Sequence, residues 1–375
     1  MRVLITGGAG FIGLAATRRL LAAGCSVTIL DNFHPQIHSG RQELPADITG
    51  GVRLVRGDVA DRAAWLEALK TQNALIHLAA ETGTGQSMYE VERYNRTNLT
   101  GTSLLLDLLA NGHAPALGRL VVASSRAIYG EGAYQCAKDG LVYPAPRNAE
   151  QLQAGRYDPV CPFCAGACAP VATPESAPFA PSSFYGLTKQ VQEQMVLLFG
   201  ATLGISTVAL RYQNVFGPGQ SLSNPYTGIL AIFSNLARLN RPIRIFEDGE
   251  ESRDFVYIDD VAEATCHAVL DDLKGVHSIN VGSGQRTSVR EVASHIKAFF
   301  GSDSELRVTG EFRLGDIRHG AADVTKLRET FGLSPEWRFA DGLRRFLEWA
   351  STSSAETAGY DRSLEELRSR GLMGG

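Results

Sequence analysis

A chain of 375 residues can bury a sizeable core, and 44% hydrophobic with 20% charged residues is ordinary for a globular protein. The formal net charge of −4 argues against a nucleic-acid partner, which would favour a basic face. No run of about 18 apolar residues offers a membrane span, and the start Met1-Arg2-Val3-Leu4-Ile5-Thr6 carries no targeting pattern, so a cytoplasmic setting is expected.

Short β-branched runs alternate with helix-patterned segments over the first two-thirds of the chain. Val3-Leu4-Ile5 is followed by a glycine turn and a helix from Leu14 to Ala23. Val27-Thr28-Ile29-Leu30 and Val52-Arg53-Leu54-Val55 come next, then a helix from Ala63 to Leu69. Leu75-Ile76-His77-Leu78, a helix from Thr100 to Leu109 and Leu120-Val121-Val122 continue the series. A helix from Lys189 to Phe199 and the run Ser206-Thr207-Val208-Ala209-Leu210 close it. Such alternation predicts an α/β fold built on a doubly wound parallel sheet. Residues 1–213 are read as that sheet domain, interrupted at about 131–178 by an insertion containing Pro, Gly and Cys. Residues 214–350 are read as a smaller lobe over the sheet's carboxyl edge, with a strand near 276–282 returning to the sheet. Residues 351–375 are expected to form a peripheral tail with a short helix at Ser363–Arg370.

The first strand feeds Gly7-Gly8-Ala9-Gly10-Phe11-Ile12-Gly13 and then an apolar helix. Glycines at Gly7, Gly10 and Gly13 permit a tight turn, close approach of a pyrophosphate and packing of helix on sheet. The helix N-terminus then presents free N–H groups and partial positive charge to phosphates. A lone glycine triplet is weak, but strand before and helix after are the context a Rossmann dinucleotide site requires. The second strand ends at Asp31, 18 residues beyond Gly13, where a carboxylate can bind ribose hydroxyls and repel a 2′-phosphate. Asn32 and Phe33 follow it, not Arg, so NAD is expected over NADP. Asp58, with Val59 after it, is placed to bond the adenine amino group.

Tyr185-Gly186-Leu187-Thr188-Lys189 sets a phenol and an ammonium at i and i+4, on one helix face. A free tyrosine, with pKa about 10, is a poor base near neutrality. A neighbouring ammonium favours the phenolate and draws the pKa towards a working range.

These segments, with His77-Leu78-Ala79-Ala80, Asn98, Ser124-Ser125-Arg126-Ala127-Ile128-Tyr129-Gly130 and Arg253-Asp254-Phe255-Val256-Tyr257, resemble the extended short-chain dehydrogenase/reductases. The resemblance is to their nucleotide-sugar epimerase/dehydratase branch and spans nearly the whole chain outside the insertion and the tail. It implies that Tyr185 is the general base and acid, that Lys189 anchors the nicotinamide ribose, and that Ser125 bonds the sugar oxygen being oxidised. It implies NAD contacts at Gly7, Gly10, Phe11, Ile12, Gly13, Asp31, Asn32, Asp58, Val59, Leu78, Ala79, Ala80 and Asn98. It also implies sugar-diphosphate contacts at Thr84, Arg126, Asn214, Arg253 and Arg313, the arginines suiting phosphate by their rigid fork. Members of this branch are often homodimers joined by two helices each, here those starting near Asn98 and Tyr185.

A 4,6-dehydratase of the branch usually carries an Asp-Glu pair just after its catalytic Ser or Thr, and this chain has Arg126-Ala127. A decarboxylase typically places a Glu near the same spot. A 4-epimerase needs only one base and room for the keto sugar to turn over, so epimerisation is expected. Ala80-Glu81-Thr82-Gly83-Thr84-Gly85-Gln86-Ser87 and the cysteine insertion are similar to the subgroup acting on dTDP-L-rhamnose. UDP-hexose and UDP-hexuronate 4-epimerases are the near alternatives. A dehydratase using Glu81 or a cysteine as second base, and a non-catalytic NAD-binding protein, are further ones.

Four of the six cysteines fall between Cys136 and Cys168, and Cys25 and Cys266 stand apart in apolar segments. Cys161-Pro162-Phe163-Cys164 has knuckle spacing, so Cys136, Cys161, Cys164 and Cys168 could close a structural zinc shell. Asp139 is the alternative ligand.

Overall fold

Unbroken apolar runs become strands when both sheet faces are covered. The computed structural model describes residues 1–224, 226 and 228–375. Its centre is a parallel sheet of β1 (Arg2–Thr6), β2 (Ser26–Asp31), β3 (Val52–Arg56), β4 (Ala74–His77), β5 (Arg119–Ser125), β6 (Ser206–Tyr212) and β7 (Val276–Val281). The strand order is β7-β6-β5-β4-β1-β2-β3, the doubly wound arrangement expected. Val3, Leu4 and Ile5 are wholly buried because helices cover both faces. On one face α1 (Phe11–Ala22) packs against the helix Ile258–Leu270, with Ala16 and Leu20 meeting Val261 and Ala264, and Cys25 and Cys266 fill this layer as small apolar groups. On the other face lie α2 (Arg62–Ala68), α3 (Gly101–Ala110) and α4 (Phe184–Leu203), where Leu105, Leu109 and Val196 join the core. Val196 therefore faces the chain's own sheet, whereas Leu187 and Leu198 of α4 are exposed.

The lobe beyond Asn214 has its own core of Phe216, Phe233, Phe255, Phe346 and neighbours. The insertion carries three short antiparallel strands, Tyr134–Cys136 between Gly140–Val142 and Cys168–Pro170. Its root is wired to the lobe by buried charge. Arg147 donates to Glu131 Oε1 at 3.0 Å and to both Glu247 oxygens at 2.9 Å, and Arg318 donates to Glu247 Oε2 at 3.0 Å.

The tail, expected at the periphery, packs inward instead. Its helix Ala358–Ser369 and strand Met373–Gly374 return to the lobe, the strand pairing antiparallel with Phe312–Arg313. Leu364, Leu367 and Met373 bury against Tyr89, Phe246 and Tyr360. Among the described residues no helix is long and apolar enough to cross a membrane.

Candidate active site

A cleft of about 570 Å³ runs from the glycine turn to the lobe, within the roughly 300–1,000 Å³ of small-molecule sites. It is lined by Gly7, Gly10, Phe11, Ile12, Gly13, Asp31, Asn32, Val59, Leu78, Ala79 and Ala80 at one end. Thr84, Ser125, Arg126, Tyr185, Lys189, Asn214, Arg253 and Arg313 line the rest, so nearly all the residues singled out by sequence meet here.

The glycine turn is a cradle that side chains would fill. Gly7 has φ +65°, and a Cβ there would meet Ala79 N at 2.8 Å; at Gly13 it would meet Gly8 Cα at 2.6 Å. Gly10 caps α1 without a side-chain bond, leaving the first N–H groups of a 12-residue helix open to phosphate. These features fit a dinucleotide. Asp31 is buried and already engaged: Oδ2 accepts from Ala9 N at 2.9 Å, Oδ1 accepts from Phe33 N at 2.8 Å, and His38 Nε2 lies 3.1 Å from Oδ1. Of about four lone-pair sites on a carboxylate, those three partners leave one for a ribose hydroxyl, not the pair of free acceptors expected from sequence.

Two expected cofactor contacts are already engaged with the protein itself. Asp58 is not among the lining residues; its carboxylate accepts from Asn32 Nδ2 at 3.1 Å and Ala60 N at 2.8 Å, and so holds Asn32 in place. Asn98 is wholly buried beneath the cleft, its amide bonded to both backbone groups of Glu81 and to Thr188 Oγ1 at 2.9 Å. It braces the 81–84 segment against α4.

At the other end, Ser183 caps α4 by accepting from Gly186 N at 3.1 Å, which puts Tyr185 in the first helical turn. Burial pushes the Tyr185 phenol above its ordinary pKa, while the Ser125 hydroxyl and the Arg126 guanidinium pull it down. Lys189, expected to do that lowering, is turned elsewhere. Its Nζ donates to Ala123 O at 2.9 Å and Gln192 Oε1 at 2.8 Å, and burial draws it down to about 7. From Gln192 a buried polar chain continues through Thr102 to His77 and Thr6 under the glycine turn, with bonds of 2.7, 3.1 and 2.7 Å. Burial, then the nearby Lys189, pushes His77 down to about 3, so its imidazole is neutral.

Arg253 and Arg313 converge on one acid, Asp316, with Arg126 close by. Arg253 Nη2 donates to Asp316 Oδ1 at 2.8 Å, and Arg313 Nη2 lies 3.3 Å from Oδ2. Arg126 instead donates to Asn214 Oδ1 at 3.1 Å, and burial beside Arg253 draws it to about 10. The guanidinium forks of Arg126, Arg253 and Arg313, gathered at this end of the cleft, suit a diphosphate.

Sequence reasoning missed several lining residues. Arg41 donates to Ala9 O at 2.6 Å at the Asp31 end. Glu251 lines the lobe end with Oε2 unpartnered, and burial pushes it up to about 7. Tyr360 reaches the cleft from the tail. Arg41, in the loop after β2, had a local signal in its position; Tyr360 had none.

The cysteines form a second cluster that is absent from the cleft lining. One donor atom each from Cys136, Asp139, Cys161 and Cys164 lies within 4.8 Å of the others. Cys168 is outside this set: it sits beside Cys136 and Cys161, and its Sγ lies 3.7 Å from Gly166 O.

The chain matches the NAD dependent epimerase/dehydratase family over residues 3–149 and 164–282. It is 41% identical over 351 residues to a dTDP-L-rhamnose 4-epimerase of Burkholderia thailandensis, covering 93% of this chain and 94% of that one. The structure of a UDP-glucose 4-epimerase from Thermotoga maritima with UDP-glucose superposes with TM-score 0.75 at 27% identity, covering 94% and 99% of the two chains. A UDP-glucose 4-epimerase from Thermus thermophilus in complex with NAD gives 0.73 at 28%, covering 94% and 100%.

Proposed function

The chain belongs to the NAD dependent epimerase/dehydratase family, and from that premise we propose that it inverts C4 of a nucleotide-activated sugar, dTDP-L-rhamnose being the favoured substrate. The observation that carries this reading is the meeting of Tyr185, Ser125 and the arginine cluster in one cleft, with no second acid-base pair after Ser125. When bound, NAD supplies reversible acceptance of hydride from the sugar carbon. The residues of the chain do the rest. Ser125 holds the sugar 4-oxygen, and Tyr185 takes its proton and later returns it as the other face is reduced. Arg126, Arg253 and Arg313 grip the diphosphate, so that the sugar alone is free to turn. Lys189, tied to Ala123 and Gln192, fixes the floor beneath the ribose.

The choice of sugar rests on the 41% identical relative, a dTDP-L-rhamnose 4-epimerase. The dehydratase alternative is less supported, because Glu81 Oε2 is held by Arg93 at 2.7 Å rather than free to act on C5. The decisive experiment incubates purified protein with dTDP-L-rhamnose and follows the sugar H4 signals by proton NMR. The expected product is the 4-epimer at unchanged mass, lost in Tyr185→Phe. Turnover of UDP-hexoses or UDP-hexuronates alone would reassign the substrate, and a keto product lighter by one water would replace epimerisation with dehydration.

A further inference from the structure

The cysteine cluster is not used by the chemistry above, and its geometry says what it can hold. Zinc with bonds near 2.3 Å to sulfur and 2.0–2.2 Å to oxygen spaces its donors about 3.5–3.8 Å apart in a tetrahedron. Here Cys136 Sγ lies 3.5 Å from Cys164 Sγ and 3.4 Å from Asp139 Oδ2, and Cys161 Sγ lies 3.1 Å from Asp139 Oδ2. All four donors fall within 4.8 Å of one another. They already sit at nearly the spacing of a shell.

The backbone around them is shaped as two matching turns. Cys136-Ala137-Lys138-Asp139 is followed by Gly140 at φ +74°, and Lys138 N–H points at Cys136 Sγ from 3.4 Å. Cys161-Pro162-Phe163-Cys164 is followed by Ala165 at φ +55°, with Ala165 N donating to Cys161 O at 2.9 Å. A left-handed alanine costs about 1–2 kcal/mol, so something must hold the second turn. Buried apolar packing supplies little. The core at this end is Tyr134, Val142 and the cysteines themselves, with Cys136 and Cys161 buried and Asp139 exposed.

We propose that the insertion binds one structural zinc ion through Cys136, Asp139, Cys161 and Cys164, with Cys168 outside the shell. Three thiolates and one carboxylate close the coordination sphere and leave no position for substrate. The ion fastens the two turns into one unit. That unit stands on the Glu131–Arg147–Glu247 root, so the metal stiffens the wall of the lobe without touching the reacting atoms.

The test measures metal per chain by plasma mass spectrometry on protein dialysed against EDTA. About one zinc per chain is expected in the wild type and in Cys168→Ser, with loss in Cys136→Ser and Cys161→Ser. Because those two variants could misfold, Asp139→Asn is measured as well, since its side chain is exposed. Its zinc Kd should rise by at least the roughly 10–100-fold that loss of an outer-shell partner costs. Cobalt exchanged into the site should show a tetrahedral, thiolate-rich spectrum. Metal-free wild-type protein from zinc-replete cells, a mapped Cys136–Cys164 disulfide, or zinc lost in Cys168→Ser but kept in Asp139→Asn would overturn the proposal.

Discussion

Lys189 is a residue costly to the fold that nonetheless lines the cleft. Its ammonium is buried, with only a carbonyl and an amide as partners, and is drawn to about 7 from an unfolded value near 10.4. Between those values the unfolded chain binds the extra proton, so stability of the cofactor-free protein should rise with pH across that window. Tyr185 is shifted upward and works in the opposite sense only at about pH 10 and above. Urea midpoints of cofactor-stripped protein, measured from pH 7 to about 9.5, should therefore climb less steeply in Lys189→Met than in wild type. Unpaired Ala123 O and Gln192 in that variant lower its whole curve without tilting it. Equal slopes would mean that the lysine is not the group being titrated, whatever its effect on turnover.

Elements, not single residues, set the distance between Ser125 and Tyr185. Ser125 ends β5 and leads into the short turn Arg126–Tyr129, while Tyr185 opens α4. The two meet because Gly186 lets the helix lie against the turn: a Cβ on Gly186 would sit 2.5 Å from Ala127 O. Gly186→Ala should push α4 outward at a cost of about 1–3 kcal/mol. A displacement near 1 Å at the reacting atoms should lower kcat by about 100-fold, with KM far less affected. Thermal melts and steady-state rates measured together separate this from simple unfolding; unchanged kcat would show that the contact does not position Tyr185. The sequence made Gly186 legible only as a spacer between Tyr185 and Lys189. What it could not carry is the neighbour, since Ala127 arrives from another element. The same limit explains Asp58 and Asn98: their residue type and place were clear, but packing handed their polar groups to Asn32, Glu81 and Thr188. The glycine turn, Asp31 and the i, i+4 pair were legible because each is a local pattern on one element.

Across the whole molecule the chain's end closes on its beginning. Glu366 Oε2 accepts from Tyr89 Oη at 2.8 Å and Tyr226 Oη at 2.7 Å, tying the tail helix to the segment after β4 and to the lobe's entry loop. Arg370 stacks 4.1 Å over Tyr89, and Leu367 lies against Gly85. This clasp carries Tyr360 into the cleft beside Arg313 and Arg244. Its contribution should thus fall on the sugar nucleotide and not on NAD. Glu366→Leu removes two charge-assisted bonds, each worth about 1.5–3 kcal/mol at most. Since the carboxylate is only partly buried, the expected rise in KM is about 3–10-fold, roughly 0.7–1.4 kcal/mol. Tyr360→Phe, which keeps the packing and removes only the phenolic oxygen, should raise KM less. NAD affinity, read by fluorescence titration, should stay unchanged in both. If NAD affinity falls along with that of the sugar nucleotide, the tail acts on the stability of the whole cleft rather than on one end of it.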